Sequence, residues 1–174
     1  MVSVPLKCVT PEVCACTGRE IGGKWLLLWE ENDSDMKYDI TYTLDRLPEV
    51  AEELLEKFGD HRVWAFDAPM GAGKTTLIDE ICKLLRIQEV TSSPTFAIVN
   101  EYHTEDDRAV YHIDCYRLDD LAGAYRIGLE EYIESGEYCF IEWPEVVTPL
   151  LDEEALTLHI EIIDDGRARR LTVD

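Results

Sequence analysis

Basic residues are scarce in this 174-residue chain: 16 Lys and Arg stand against 37 Asp and Glu, for a formal net charge of −21. A protein that grips nucleic acid by itself needs a basic face to neutralise phosphates. The charge therefore argues against strong independent binding of DNA or RNA, while leaving open work on RNA through a basic partner. Long apolar runs are lacking as well. The longest candidate, Trp25 to Trp29, is far shorter than the ~18–20 residues of a membrane span, so no membrane association is expected. A secretory signal pattern is absent from the first residues, which points to a cytoplasmic protein. The six cysteines, Cys8, Cys14, Cys16, Cys82, Cys115 and Cys139, are too dispersed for the disulfide framework of a small secreted domain. No second Cys/His pair at finger spacing accompanies the early three, so no zinc site is expected. Internal repeats and low-complexity tracts are missing too.

What remains is the composition of a globular protein, 46% hydrophobic and 30% charged, long enough to bury a core without staples. Tyr38 to Thr43 alternates as a strand. Asp45 and Pro48 open a helix with Val50, Leu54 and Phe58 on one face, and Gly59 stops it. Arg62 to Asp67 is a buried-strand run. Lys74 to Leu85 is a helix with Leu77, Ile81, Leu84 and Leu85 on one face. Strands are expected at Ala97–Tyr102, Ala109–Asp114 and Tyr138–Ile141. Asp119 to Ser135 carries a helical stripe interrupted by Gly128. Leu156–Ile163 and Arg167–Val173 flank Asp165-Gly166, a hairpin signal. Cys82, on an apolar helix face, and Cys139, in an apolar strand, read as small buried hydrophobes. Helices alternating with strands, then paired strands at the end, give an α/β sandwich. Its central sheet is mixed and largely parallel, with a C-terminal antiparallel hairpin.

The stretch richest in chemistry is Ala68-Pro69-Met70-Gly71-Ala72-Gly73-Lys74-Thr75-Thr76. It leaves a strand and opens a helix, the context of a P-loop. Backbone N–H groups of such a loop face phosphate oxygens, and the helix N-terminus adds partial positive charge. Gly71, Ala72, Gly73, Lys74, Thr75 and Thr76 are thus candidate nucleotide-binding residues. Lys74 reaches the β- and γ-phosphates, and the Thr75 hydroxyl ligates Mg²⁺. Ala68 replaces the usual first glycine, which matters only if the loop needs positive φ there.

A Mg²⁺-nucleotide site also wants a carboxylate at a strand end. Asp114 and Glu142 both end apolar strands and are both candidates. Trp143 either stacks on a base or packs. His112 is expected to pack or hydrogen-bond rather than catalyse. Thr91-Ser92-Ser93-Pro94-Thr95-Phe96 is a polar turn of the kind used as a nucleotide-sensing switch.

Four motifs occur in order: Gly71-Ala72-Gly73-Lys74-Thr75-Thr76, Ser93-Pro94-Thr95-Phe96, His112-Ile113-Asp114-Cys115-Tyr116-Arg117-Leu118, and Ile141-Glu142-Trp143-Pro144-Glu145. Together they resemble the bacterial TsaE (YjeE) family, from about residue 36 onward. The resemblance implies a small P-loop ATPase with weak intrinsic activity, needed for threonylcarbamoyladenosine modification of tRNA. It implies TsaD and TsaB as partners, tRNA contact only through their complex, and ATP with Mg²⁺ as cofactors. It assigns Lys74 and Thr75 to phosphates and Mg²⁺, Asp114 and Glu142 to the metal site, Glu142 to hydrolysis, and Trp143 to the nucleotide.

Two other classes compete. A small-molecule P-loop kinase needs a lid with arginines, for which only Arg117 and Arg126 lie in the right stretch. A GTPase needs an Asn/Thr-Lys-x-Asp base reader, which is absent; Asp120-x-x-Gly123 matches another GTPase motif but within a helical stretch.

Residues 1–35 show no helix period and lie outside the resemblance, so the expected organisation is an N-terminal extension, 1–35, and an ATPase domain, 36–174. A strand at Trp25–Trp29 in a small appended hairpin is the competing reading. A protein starting at Met36 is expected to match the full chain in thermal midpoint and ATP turnover. Insolubility, or melting many degrees lower, would make the extension structural.

Overall fold

The computed structural model describes residues 18–21, 24–27, 38–87, 94 and 97–174. The chain divides after Met36 into two units. In the first, strand β1 (Gly18–Ile21) pairs antiparallel with β2 (Lys24–Leu27). Cys8, Cys14 and Cys16 lie outside the described residues, as does most of the polar turn at 91–96, of which Pro94 alone is described.

The second unit runs β3 (Tyr38–Thr43), α1 (Leu47–Phe58), β4 (Val63–Asp67), α2 (Lys74–Leu84), β5 (Val99–His103), β6 (Ala109–Asp114), α3 (Leu121–Arg126), α4 (Leu129–Ile133), β7 (Tyr138–Glu142), β8 (Leu156–Ile163) and β9 (Ala168–Val173). Seven strands form one sheet in the order β3-β9-β8-β4-β7-β6-β5. The four central strands, β8, β4, β7 and β6, are parallel, while β9, β3 and β5 join antiparallel. The mixed, largely parallel sheet and its C-terminal hairpin are those the sequence predicts. Parallel strands are buried on both faces, and β4 reads accordingly: Val63, Trp64, Ala65 and Phe66 are all buried.

Side chains alternate between two cores. Trp64, Phe66, Phe140 and Val110 pack with α1 and α2. Val63, Cys139, Ile141 and Ile113 pack with Ala124 of α3 and Leu129 of α4. Cys82, Cys115 and Cys139 are buried free thiols. Burial pushes the Cys82 and Cys115 thiols up to about 12, so they serve as small hydrophobes.

The structure refines several local expectations and corrects others. Gly59 ends α1 with an ordinary φ of −62°. Its role is close approach: a Cβ there would lie 2.5 Å from the Leu55 carbonyl oxygen. On α2, Leu84 is exposed and Ile78 is fully buried in its place. The β8–β9 connection has four residues, since Ile163 pairs with Ala168. Asp164, Asp165 and Gly166 are all left-handed, which lengthens the turn beyond a two-residue Asp-Gly loop. Asp120 accepts the Gly123 N–H at 2.7 Å and so caps α3. The resemblance of Asp120-x-x-Gly123 to a GTPase motif is therefore a helix cap. Gly128, at φ 70°, separates α3 from α4, as its place in the helical stripe suggests.

Candidate functional site

Strand β4 delivers the chain at Asp67 to the loop 68–73, and α2 begins at Lys74. Gly71 and Gly73 carry φ of 77° and 102°, the left-handed region that glycine enters without strain. Ala68 is not among the positive-φ residues, so alanine in place of the usual first glycine costs the loop nothing. The first turn of α2 holds no acidic residue, and among the described residues no side chain caps it. Its opening N–H groups lack helical partners and are free of a competing carboxylate. Ala72 is 1% exposed and its N–H bonds to the Pro69 carbonyl at 3.2 Å. Its side chain belongs to the core beneath the loop rather than to the cavity wall.

Above the loop lies a cavity of about 350 Å³, lined by Met70, Gly71, Gly73, Lys74, Thr75, Thr76, Asp114, Tyr116, Glu142 and Trp143. Of the residues proposed to bind nucleotide or metal, all but Ala72 lie on this wall. Among the described residues no arginine lines it; Arg126, one of the two arginines considered for a kinase lid, lies within 3.8 Å of Asp120 on the surface.

Strand geometry explains the convergence. Asp114 and Glu142 end adjacent parallel strands and are register partners. Period two places His112 and Asp114 on the face of β6 that carries Val110, and Glu142 on the face of β7 that carries Phe140. Both faces look toward α2, where Thr75 sits in the first turn. The Thr75 hydroxyl donates to Glu142 Oε1 at 2.6 Å. His112 Nε2 meets the same oxygen at 2.9 Å, fully buried. A carboxylate oxygen only accepts, so Nε2 carries the proton, and Nδ1 is left without a partner among the described residues. His112 thus hydrogen-bonds, as its place in the strand suggests. Asp114 accepts the Tyr116 N–H at 3.0 Å and caps the turn that follows β6.

Lys74 is 5% exposed. Its ammonium donates to the carbonyls of Ala68 at 2.7 Å and Pro69 at 3.3 Å and lies 3.7 Å from the centre of the Trp143 ring. Burial holds its pKa below the ordinary lysine value, opposed by the nearby carboxylates of Glu142, Asp114, Glu145 and Asp67. Trp143 is itself left-handed, with φ 58°, an uncommon state for a bulky residue. This reversal after β7 turns the indole over Lys74 and against Tyr116, whose ring centre is 5.1 Å away.

Two contributors went unrecognised in the sequence. Tyr116 stands inside a quoted motif but gives no signal beyond being aromatic. Arg169 is buried on β9 and donates to the Ala72 carbonyl at 3.2 Å; in sequence it is one of two adjacent arginines, with nothing to tell which turns inward.

The donor set fits a hard divalent cation. The oxygens of Thr75, Glu142 and Asp114 line one cavity beside the loop, and such cations take oxygen ligands. No ready-made cluster of three or more His, Cys, Asp or Glu occurs among the described residues.

Comparison with known proteins gives a consistent neighbourhood. The family profile described as "Threonylcarbamoyl adenosine biosynthesis protein TsaE" matches residues 41–171. A protein of Treponema pallidum named tRNA threonylcarbamoyladenosine biosynthesis protein TsaE is 36% identical over 104 residues, covering 60% of this chain and 75% of its own. One of the same name from Haemophilus influenzae is 32% identical over 118 residues, covering 67% and 74%. Among solved structures, YdiB of Bacillus subtilis superposes with a TM-score of 0.59 at 25% identity, covering 80% of this chain and 87% of that one.

Proposed function

Since this chain belongs to the TsaE family of tRNA threonylcarbamoyladenosine biosynthesis, we propose that it is the ATP-binding and ATP-hydrolysing subunit of that pathway. In this reading it works with the TsaD–TsaB transferase and meets tRNA only through that complex. The observation that carries the proposal is the hydrogen-bonded pair of Thr75 and Glu142 beside a left-handed glycine loop, with Lys74 between the loop carbonyls and Trp143.

The chemistry follows from these groups. The N–H groups of Gly71 and Gly73 and of the first turn of α2 receive the phosphates. Lys74 exchanges its loop carbonyls and the Trp143 ring for the β- and γ-phosphates, a stronger partner for an ammonium. Trp143 is then free to cover the nucleotide. Thr75, Asp114 and Glu142 are the residues that would hold Mg²⁺. When bound, the ion neutralises charge on the phosphate oxygens. Glu142 orients the attacking water and accepts its proton, while His112 and Thr75 hold the carboxylate in place. Water's oxygen bonds to the γ-phosphorus, the bond to the β–γ bridging oxygen breaks, and ADP and phosphate leave.

The acidic surface suits a subunit that docks on basic partners and leaves RNA contact to them. The test is a pull-down with TsaD and TsaB, with and without ATP, paired with binding to tRNA alone. Expected are ATP-sensitive capture of the pair and a weak tRNA interaction that disappears at moderate salt. A tight, salt-resistant complex with tRNA alone, or the absence of both capture and ATP turnover, would reject the proposal.

A further inference from the structure

Arg169 lies in β9, 8% exposed, in register with Tyr42 of β3. Its guanidinium donates from Nε to the Ala72 carbonyl at 3.2 Å and from Nη1 to the Gly166 carbonyl at 2.7 Å. Among the described residues no carboxylate forms an ion pair with it, whereas its exposed neighbour Arg170 pairs with Asp39 at 2.6 Å. A guanidinium buried against carbonyl oxygens alone is costly.

The contact with Ala72 has a geometric consequence. The Ala72 carbonyl and the Gly73 N–H belong to one planar trans peptide and point in opposite directions. On the carbonyl side are the buried Ala72 and Arg169; Gly73 lines the cavity. Holding the carbonyl inward therefore aims the Gly73 N–H outward. Local sterics do not fix this orientation, because glycine tolerates either setting of the peptide that precedes it. A cationic donor on the carbonyl also polarises the same peptide and strengthens its N–H as a donor.

We propose that Arg169 is a positioning residue for the phosphate loop, which by holding the Ala72 carbonyl keeps the Gly73 N–H turned toward a polyphosphate anion. Its second bond, to Gly166, anchors the guanidinium to the β8–β9 turn, so the far hairpin sets the geometry of the loop. This inference rests on the nucleotide reading above.

The test is calorimetric titration of the full chain with ATP and, separately, with inorganic tripolyphosphate, which has phosphates but no base. Arg169→Met is expected to weaken both by about tenfold. Arg169→Lys, which keeps one charged donor, recovers part of the loss, and Arg170→Met on the exposed side changes neither. A folded Arg169→Met protein with wild-type affinity for tripolyphosphate overturns the inference. Should that variant misfold, the wild type decides: its Gly73 amide proton is expected to move strongly downfield on adding tripolyphosphate. A Gly73 signal that stays put while Gly71 and Thr75 respond overturns it equally. A wild type that binds neither ligand rejects the nucleotide reading, and this inference with it; loss confined to Arg169→Met leaves that reading standing.

Discussion

Lys74→Ala is expected to lower ATP turnover by roughly two to three orders of magnitude, as removal of one well-placed charge stabiliser does. The fold should survive. The ammonium is nearly buried and held by two carbonyls and the Trp143 ring. Burial disfavours its charged form, so deletion removes a desolvation cost along with the contacts. These effects oppose each other, and the thermal midpoint should shift by no more than about 4 °C, the equivalent of roughly 1 kcal/mol for a chain of this size. Steady-state phosphate release with a parallel melt measures both. Turnover at the wild-type rate in a folded variant would remove Lys74 from the mechanism. A collapse of the melt would instead give the lysine a structural task that its contacts do not suggest.

The second large effect belongs to Glu142→Gln. The amide oxygen still accepts from Thr75 and His112, whose bonds to Oε1 are 2.6 and 2.9 Å, so the cluster keeps its shape. What disappears is the negative charge and the capacity to take a proton. Hydrolysis should drop by about 10²–10⁴-fold. ATP affinity should change far less than the rate, since Thr75, Asp114 and the remaining amide oxygen still face the Mg²⁺-nucleotide. Single-turnover hydrolysis and equilibrium binding separate the two quantities. Equal losses in binding and in rate would make Glu142 a binding group and move the base elsewhere.

Local pattern carried much of the fold. The strand at Tyr38–Thr43, the strand at Ala109–Asp114 and the strand at Leu156–Ile163 have the limits that alternation and apolar runs indicate. The phosphate loop and the two strand-end acids were legible for a related reason. Each is a residue type at an element boundary, and boundaries follow from sequence pattern. The failures share a different cause. Leu84 continues the apolar stripe of α2, yet the helix ends there and leaves it exposed. Nothing local distinguishes Arg169 from Arg170; only pairing with β3 and β8 decides which turns inward. The resting place of Lys74 depends on Trp143, nearly seventy positions along the chain (~70), and on a backbone reversal no propensity anticipates. Composition likewise hides that Asp120 is a helix cap, which only its bond to Gly123 reveals.

The order of the strands bears on how this protein is made. β4, which launches the phosphate loop, is flanked by β7 and β8, both from the last third of the chain. Glu142 reaches Thr75 across 67 positions, and Arg169 reaches Ala72 across 97. A growing polypeptide emerges from the ribosome N-terminus first, so the loop appears long before the strands that seat it. Non-local pairing of this kind forms late and slowly. Until β7 and the β8–β9 hairpin have emerged, the chain therefore carries the Gly-Ala-Gly-Lys-Thr segment without the wall that gives it shape.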